Sequence, residues 1–151
     1  MKDTKKAIQT LEELLTAGVS PYHAVKHSID RLEKAGFTEL KPGKAWEVKA
    51  GNSYYVNLYG SSLIAFSIGA SVEEGGNAPK IRMAASHTDW PCLRVKPTPE
   101  MNQGGYGLLN VECYGGLLLQ TWLDRPLSMA GRVCIRGKDA FHPEEKLVDF
   151  K

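Results

Sequence analysis

His87 and Asp89 are the residues whose types and spacing are best suited to chemistry. His87 ends the mostly apolar stretch "IRMAASH", only Thr88 separates it from Asp89, and Pro91 follows two residues later. In a strand, residues i and i+2 point to the same face, about 6–7 Å apart along the chain, so the two side chains could converge at a strand end. A metal-bound imidazole usually donates its second N–H to a carboxylate. The pair is therefore a candidate metal site, and the alternative is a polar strand end that faces water.

Two other pairs of residues are weaker candidates for a site. His23 and His27 lie four residues apart in a predicted helix, which places them near one another, but such a pair is more often a feature of the helix surface. Asp124 and Arg125 could form a functional pair at a subunit contact or an ion pair at the end of a strand. We favour the ion pair, which contributes little stability when exposed.

Two helices are predicted at the start of the chain. Ile and Leu residues recur at helical spacing over residues 4–17, and the pattern stops at Gly18. In the second helix Ser20 can act as the N-cap, Pro21 suits the first turn, and Gly36 is a suitable C-terminal stop.

Short strands are predicted after the helices. The segments "WEVKAG", "SYYVNLYG" and "SLIAFSIG" are rich in β-branched and aromatic residues. The longer stretch "GSSLIAFSIGA" is nearly all apolar or small, which predicts a strand buried on both faces, and "IRMAASH" predicts a second buried strand. The polar segment "VEEGGNAPK" between them predicts a loop.

The composition changes near residue 100. "CLRVKP" predicts a short strand and "TPEMNQGGYG" a turn-rich hinge, after which strand-like segments recur at hairpin-like intervals. The last of these segments, "EEKLVDFK", alternates polar and apolar residues. We therefore expect one part over residues 1–99 and a β-rich part over residues 100–151.

The composition argues against several classes of protein. The 151 residues have a formal net charge of +2 and no basic patch, so nucleic-acid binding has little support. The charged N-terminus does not resemble a secretory signal, and no apolar run approaches the roughly 20 residues that span a membrane. Cys92, Cys113 and Cys134 form no C-x-x-C pair, which favours free thiols in a cytoplasmic protein over disulfides or a four-cysteine zinc site.

Four segments, in order, resemble the aspartyl aminopeptidase family of zinc metallopeptidases. "SPYHAVKHSIDRLEKAGFTEL" resembles the helical signature of the family, and "GNSYYVNLYGSSLIAFSIG" its first strands. "ASHTDWPCLRVKP" is similar to the first metal motif, and "QTWLDRPLSMAGRV" to the start of an inserted β domain. The resemblance implies an α/β fold. Residues 1–99 would supply the N-terminal helices and first strands of a zinc-exopeptidase-like core, and residues 100–151 the start of the β-rich oligomerisation domain.

The resemblance also implies an activity and roles for particular residues. Members of this family are aminopeptidases with two zinc ions, which remove an N-terminal residue, often Asp or Glu, from a peptide substrate, and they form homo-oligomers. His87 stands at the position of the first zinc ligand, and Asp89 at that of a catalytic carboxylate that orients this histidine. Gln120 stands where many members have a histidine that reaches the active site of a neighbouring subunit. Gln120 and Asp124 are therefore candidates for a substrate or subunit contact.

The chain also departs from the family pattern. The other zinc ligands and the general-base glutamate have no counterpart in it, so we expect at most a partial zinc site and no activity from this chain alone. Trp90 stands where a small serine is common. We interpret the chain as the N-terminal part of such an enzyme; the alternative is a non-catalytic interaction or oligomerisation module derived from the same fold. The uncovered apolar faces of an incomplete sheet should make the isolated chain self-associate.

Overall fold

The computed structural model describes residues 2–72 and 80–150, with side chains from Thr4 onward. The chain divides into two units: residues 1–88 with residues 128–151 form the first, and residues 89–127 form the second. The predicted loop "VEEGGNAPK" lies almost wholly outside the described residues. The predicted boundary near residue 100 stays a prediction.

Two helices open the first unit, as the sequence predicts. They are α1 (Lys2–Ala17) and α2 (Pro21–Lys34). The side chain of Ser20 caps α2 by accepting a hydrogen bond from the backbone N–H of His23 at 3.4 Å. Gly36, with φ +84°, follows the helix in the left-handed conformation that glycine adopts without steric cost.

A small sheet follows the helices. It consists of β1 (Thr38–Glu39), β2 (Ser53–Leu58) and β3 (Ser62–Ser67), in the order β1-β2-β3. β1 is parallel to β2, whereas β3 is antiparallel to it. β2 is therefore central, and it provides three consecutive buried residues, Tyr54, Tyr55 and Val56.

The core of the first unit forms around β2. Tyr54 and Val56 cluster with Leu40 on one face, where the rings of Tyr54 and Phe66 lie 5.7 Å apart. Tyr55 points to the opposite face, and its hydroxyl donates a 2.8 Å hydrogen bond to Oε1 of Glu33 in α2. Burial and this hydrogen bond raise the pKa of Tyr55 to about 12.

Two strand predictions in this region are wrong. The segment "WEVKAG" is irregular rather than a strand. The stretch "GSSLIAFSIGA" contains β3, but Ile64 within it is 54% exposed, so the strand is not buried on both faces. The reason is position in the sheet: among the described residues β3 pairs only with β2, whereas β2 has a strand on each side.

The segment "IRMAASH" is also not the predicted buried strand. It is irregular, and Ile81 and Met83 are 79% and 87% exposed. An apolar segment becomes a buried strand only when neighbouring strands pair with its backbone and other elements cover its faces. No strand of the described residues pairs with it. The strand period therefore no longer supports the argument that His87 and Asp89 share a face.

The second unit is built on a long hairpin. β4 (Cys92–Gln103) pairs antiparallel with β5 (Tyr106–Tyr114). The turn is formed by Gly104 and Gly105, with φ +59° and +82°, and positive φ at both positions is what a type I′ hairpin turn requires. A short 3-10 turn, Leu119–Thr121, follows.

β4 is longer than the sequence predicts. It has 12 residues instead of the six of "CLRVKP", and the whole of the predicted hinge "TPEMNQGGYG" belongs to the hairpin. The strand register shifts between Val95 and Glu100. Pro97 and Pro99 lie in this interval, and because proline has no N–H to donate, it is confined to bulges and strand edges.

A second hairpin belongs to the first unit. β6 (Met129–Ile135) pairs antiparallel with β7 (Glu144–Phe150), which confirms the strand predicted from "EEKLVDFK". Arg132 in β6 donates hydrogen bonds to the carbonyl of Tyr59 at 2.9 Å and to Oε2 of Glu145 at 3.1 Å, and its guanidinium lies 4.3 Å from the centre of the Tyr22 ring. None of the described helices is long and apolar enough to cross a membrane.

Candidate functional site

His87 is the last residue of the irregular segment that replaces the predicted strand, and it lies near the end of the first stretch of the first unit, residues 1–88. It is exposed. The next residue, Thr88, holds this part of the chain in place because its hydroxyl donates a 2.8 Å hydrogen bond to the carbonyl of Ser61, beside the turn between β2 and β3. The imidazole of His87 is therefore carried by a segment that is tied to the sheet by a side chain and not by strand pairing.

Asp89 begins the second unit, and the end of β5 holds its carboxylate. The hydroxyl of Tyr114, the last residue of β5, donates a hydrogen bond to Oδ2 of Asp89. The hydrogen bond to Asp89, followed by the negative charge of the carboxylate, raises the pKa of Tyr114, while the charge of Arg94 lowers it. A raised pKa keeps the phenol of Tyr114 protonated, so it can donate to the carboxylate.

Three further contacts fix the position of Tyr114. It pairs with Cys92, the first residue of β4, in the strand register. The guanidinium carbon of Arg94 lies 3.6 Å from the centre of its ring. Gly115, with φ +74°, lies so close to Pro91 that an added Cβ would be 3.3 Å from the Cα of Pro91. We call Asp89, Pro91, Tyr114 and Gly115 the carboxylate clamp.

The side chains of His87 and Asp89 carry donor atoms of the kinds that zinc binds, but there are too few of them for a zinc site. Imidazole nitrogen and carboxylate oxygen are both common zinc ligands, but zinc sites in proteins use at least three protein ligands. In residues 2–72 and 80–150, no group of three or more His, Cys, Asp or Glu side chains is placed to hold a metal ion. The described residues therefore do not form a complete zinc site.

The other histidines have local roles or no assigned one. Nδ1 of His23 lies 2.8 Å from the hydroxyl of Ser20, so this histidine belongs to the cap of α2. Nε2 of His27 is buried, without a hydrogen-bond partner among the described residues, beside an open cavity of about 700 Å³. His142 contacts Asp139 through Nδ1 at 2.8 Å, and this contact lowers the pKa of Asp139.

Gln120 and Asp124 both lie in the second unit, after β5. Gln120 is exposed in the 3-10 turn, and Asp124 is exposed with φ +56°, a left-handed conformation that Asp tolerates better than most residues. Their predicted roles in a substrate or subunit contact stay predictions. Tyr114 and Gly115, by contrast, are not among the site residues predicted from the sequence. The one signal that could have indicated Tyr114 is an aromatic hydroxyl at the end of a strand-like segment.

Comparison with known proteins decides the family. A family model described as aminopeptidase I zinc metalloprotease (M18) matches residues 14–151. The chain belongs to this family. The family and the α/β fold class predicted from the sequence are both confirmed.

Individual M18 proteins align with nearly the whole chain. The chain is 46% identical to a probable M18 family aminopeptidase 2 of Ectopseudomonas mendocina over 147 residues, covering 97% of this chain and 33% of the relative. It is similar to Chaetomium thermophilum mApe1 (TM-score 0.80, 34% identity, 93% of this chain and 32% of that one) and to the S. cerevisiae mApe1 dodecamer (TM-score 0.78, 26% identity, 97% and 34%). The chain thus spans about a third of the length of these M18 relatives.

Proposed function

We propose that this chain is the N-terminal part of a zinc-dependent aminopeptidase that removes an acidic N-terminal residue from peptides. The match of the M18 family model over residues 14–151 is the observation that carries this proposal. The carboxylate clamp supports it, because the clamp holds a carboxylate two residues from the only histidine of the "ASHTDW" segment.

In this proposal His87 is a zinc ligand and Asp89 is the carboxylate that orients it. A carboxylate that accepts the second imidazole N–H fixes the tautomer of a ligating histidine and increases its basicity. Bound zinc would polarise the scissile carbonyl and lower the pKa of a water molecule. Residues outside this chain would supply the other ligands and the general base, so the chain by itself would be inactive.

The preference for an acidic residue rests on the family resemblance, with Gln120 and Asp124 as candidates for the substrate or subunit contact. The amide of Gln120 can donate a hydrogen bond to a substrate carboxylate, but it carries no charge. We also propose a cytoplasmic location, because Cys92, Cys113 and Cys134 are all free thiols.

We further propose that the protein forms a homo-oligomer. The second unit exposes several apolar side chains, among them Leu118 at 66% and Leu123 at 65%. One of the similar solved structures is a dodecamer. The same apolar surface would serve the alternative function, a non-catalytic oligomerisation module. Light scattering tests the oligomer: a monodisperse monomer at micromolar concentration would contradict it.

A chimera tests the catalytic proposal. This chain would replace the matching third of the Ectopseudomonas mendocina relative, and hydrolysis of an aspartyl and a leucyl p-nitroanilide would be compared. We expect activity with preference for the aspartyl substrate, and a loss of at least about 100-fold in a His87→Ala chimera, since a metal ligand is removed. His142→Ala, which changes an exposed histidine of a loop, is the matched control.

Two results would contradict the proposal. A His87→Ala chimera with activity within twofold of the parent would exclude His87 as a ligand. Stoichiometric zinc together with hydrolysis by the isolated 151-residue chain would show that a complete site forms from these residues alone.

A further inference from the structure

The apolar face of α1 is exposed. Its members recur at helical spacing and are between 38% and 70% exposed: Ile8, Leu11, Leu14 and Leu15. No side chain of α1 that the structure describes is buried. A helix at the surface of a complete domain has the opposite arrangement, because its apolar stripe faces the core. We call these four residues the α1 stripe.

The polar side of α1, by contrast, faces the rest of the first unit. Polar residues of the helix line the open cavity beside His27 of α2, namely Gln9, Glu12, Glu13 and Thr16. Successive residues of an α-helix are about 100° apart around its axis, so Leu15 and Thr16 point to different sides. The helix therefore meets its own unit with polar side chains, and nothing in the described part of the unit covers the α1 stripe.

The length of the M18 relatives indicates what could cover the stripe. The chain spans 33% of the Ectopseudomonas mendocina relative, so about two thirds of that protein has no counterpart here, whereas the alignment covers 97% of this chain and thus most of α1. Among residues 4–72 and 80–150, only five apolar side chains are buried, and all of them lie between Val25 and Val56. A complete domain buries a larger share of its apolar side chains, so we expect further core to form against the first unit.

The size of the α1 stripe favours a partner in the same polypeptide over a second copy. Four partly exposed side chains offer on the order of a few hundred Å² of apolar surface. A stable interface between separate proteins buries about 800 Å² on each partner. Two parts of one chain are already joined and lose little translational freedom on docking, so a smaller contact area is sufficient for them.

We propose that the α1 stripe is a docking face for the part of an M18 chain that follows the segment matched here. In the whole protein α1 is then packed on both sides, between the cavity beside His27 and an apolar surface of the remaining two thirds. This inference rests on the proposed function, because it takes the chain to be the N-terminal part of a longer enzyme. It extends that function by naming the surface of the first unit on which the rest of the enzyme assembles.

Thiol labelling tests whether the stripe is covered. Leu15→Cys places a thiol in the α1 stripe, and Thr16→Cys, its matched control, places one on the polar side of the same turn. The rate at which a maleimide modifies each thiol, followed by peptide mass spectrometry, would be compared in the 151-residue chain and in the chimera with the Ectopseudomonas mendocina relative. We expect Leu15→Cys to react at least about 10-fold more slowly in the chimera, and Thr16→Cys to react at similar rates in both, because only a buried thiol must wait for local opening.

A second measurement compares stability. Leu15→Gln removes an apolar side chain and keeps a good helix former. In the isolated chain Leu15 is 70% exposed, so the substitution should leave urea unfolding unchanged. In the chimera it should raise the unfolding equilibrium constant by about 10-fold, because a leucine that the rest of the enzyme buries is replaced by a polar side chain. Thr16→Gln is the control and should change neither protein.

Several outcomes would overturn the inference. Equal labelling of Leu15→Cys in the two proteins would show that the stripe stays open in the longer chain. Slow labelling in the isolated chain that becomes faster on dilution would show that a second copy covers it. Neither readout needs hydrolysis: a protected stripe in an inactive chimera contradicts only the proposed function, and an open stripe in an active chimera contradicts only this inference. A chimera that remains unfolded by circular dichroism contradicts both.

Discussion

Tyr55→Phe should alter both the stability of the first unit and its dependence on pH. Tyr55 is 2% exposed at the centre of β2, and its hydroxyl donates to Glu33 at 2.8 Å. The substitution removes the hydroxyl and leaves the ring. A hydrogen bond to a charged group contributes about 1.5–3 kcal/mol, but Glu33 is exposed and regains water when the bond is lost. We therefore expect a loss of about 1 kcal/mol in the free energy of unfolding at pH 7.

The dependence on pH has a defined sign. The pKa of a tyrosine in water, and so of Tyr55 in the unfolded chain, is 10.0, whereas folding raises it to about 12. Below pH 10 the phenol is protonated in both states, so its contribution to stability is fully present. As the pH rises from 10 to 12, only the unfolded chain releases the proton, and the free energy of unfolding falls. Two pKa units correspond to about 2.7 kcal/mol, which solvent screening at exposed Glu33 reduces to about 1–2 kcal/mol.

The assay is urea unfolding of the parent chain and Tyr55→Phe at pH 7, 9 and 11.5. The stability difference of about 1 kcal/mol at pH 7 should persist at pH 9 and shrink or reverse at pH 11.5, because only the parent has this group to titrate. Other groups titrate equally in both proteins. Tyr59→Phe, at a tyrosine that is 87% exposed, is the control and should follow the parent. A difference between parent and variant that is independent of pH would refute the reasoning.

Two other substitutions test local features of the fold. Ser20→Ala should lower the free energy of unfolding by about 1 kcal/mol, measured by thermal unfolding, because the cap of α2 loses its acceptor for the N–H of His23; an unchanged midpoint would contradict this role. Gly115→Ala should destabilise the second unit by about 1–2 kcal/mol, because alanine is strained at φ +74° and also meets Pro91 at 3.3 Å. Hydrogen exchange of the β4–β5 amides measures this effect, and protection equal to that of the parent would exclude it.

Local sequence signals were sufficient for the two helices and for the positions of several strands, among them β2, β3 and β7. Ser20, Pro21 and Gly36 mark the ends of α2 by interactions within a few residues, so the sequence contains all that is needed to place them. The family resemblance likewise depends on short motifs that can be identified without coordinates. The His-Thr-Asp segment is identified in this way, from its own residues and their immediate neighbours in the chain.

Only the tertiary structure decided which apolar segments became strands and which residue holds Asp89. "IRMAASH" has the composition of a buried strand, but it is irregular because no described strand pairs with it, whereas β4 extends to 12 residues because β5 lies beside it. The hydroxyl of Tyr114 reaches Asp89 across 25 residues of sequence through the pairing of β4 with β5. Strand pairing and side-chain contacts of this kind join distant parts of the chain, and the periodicity of a single segment carries no information about its partner.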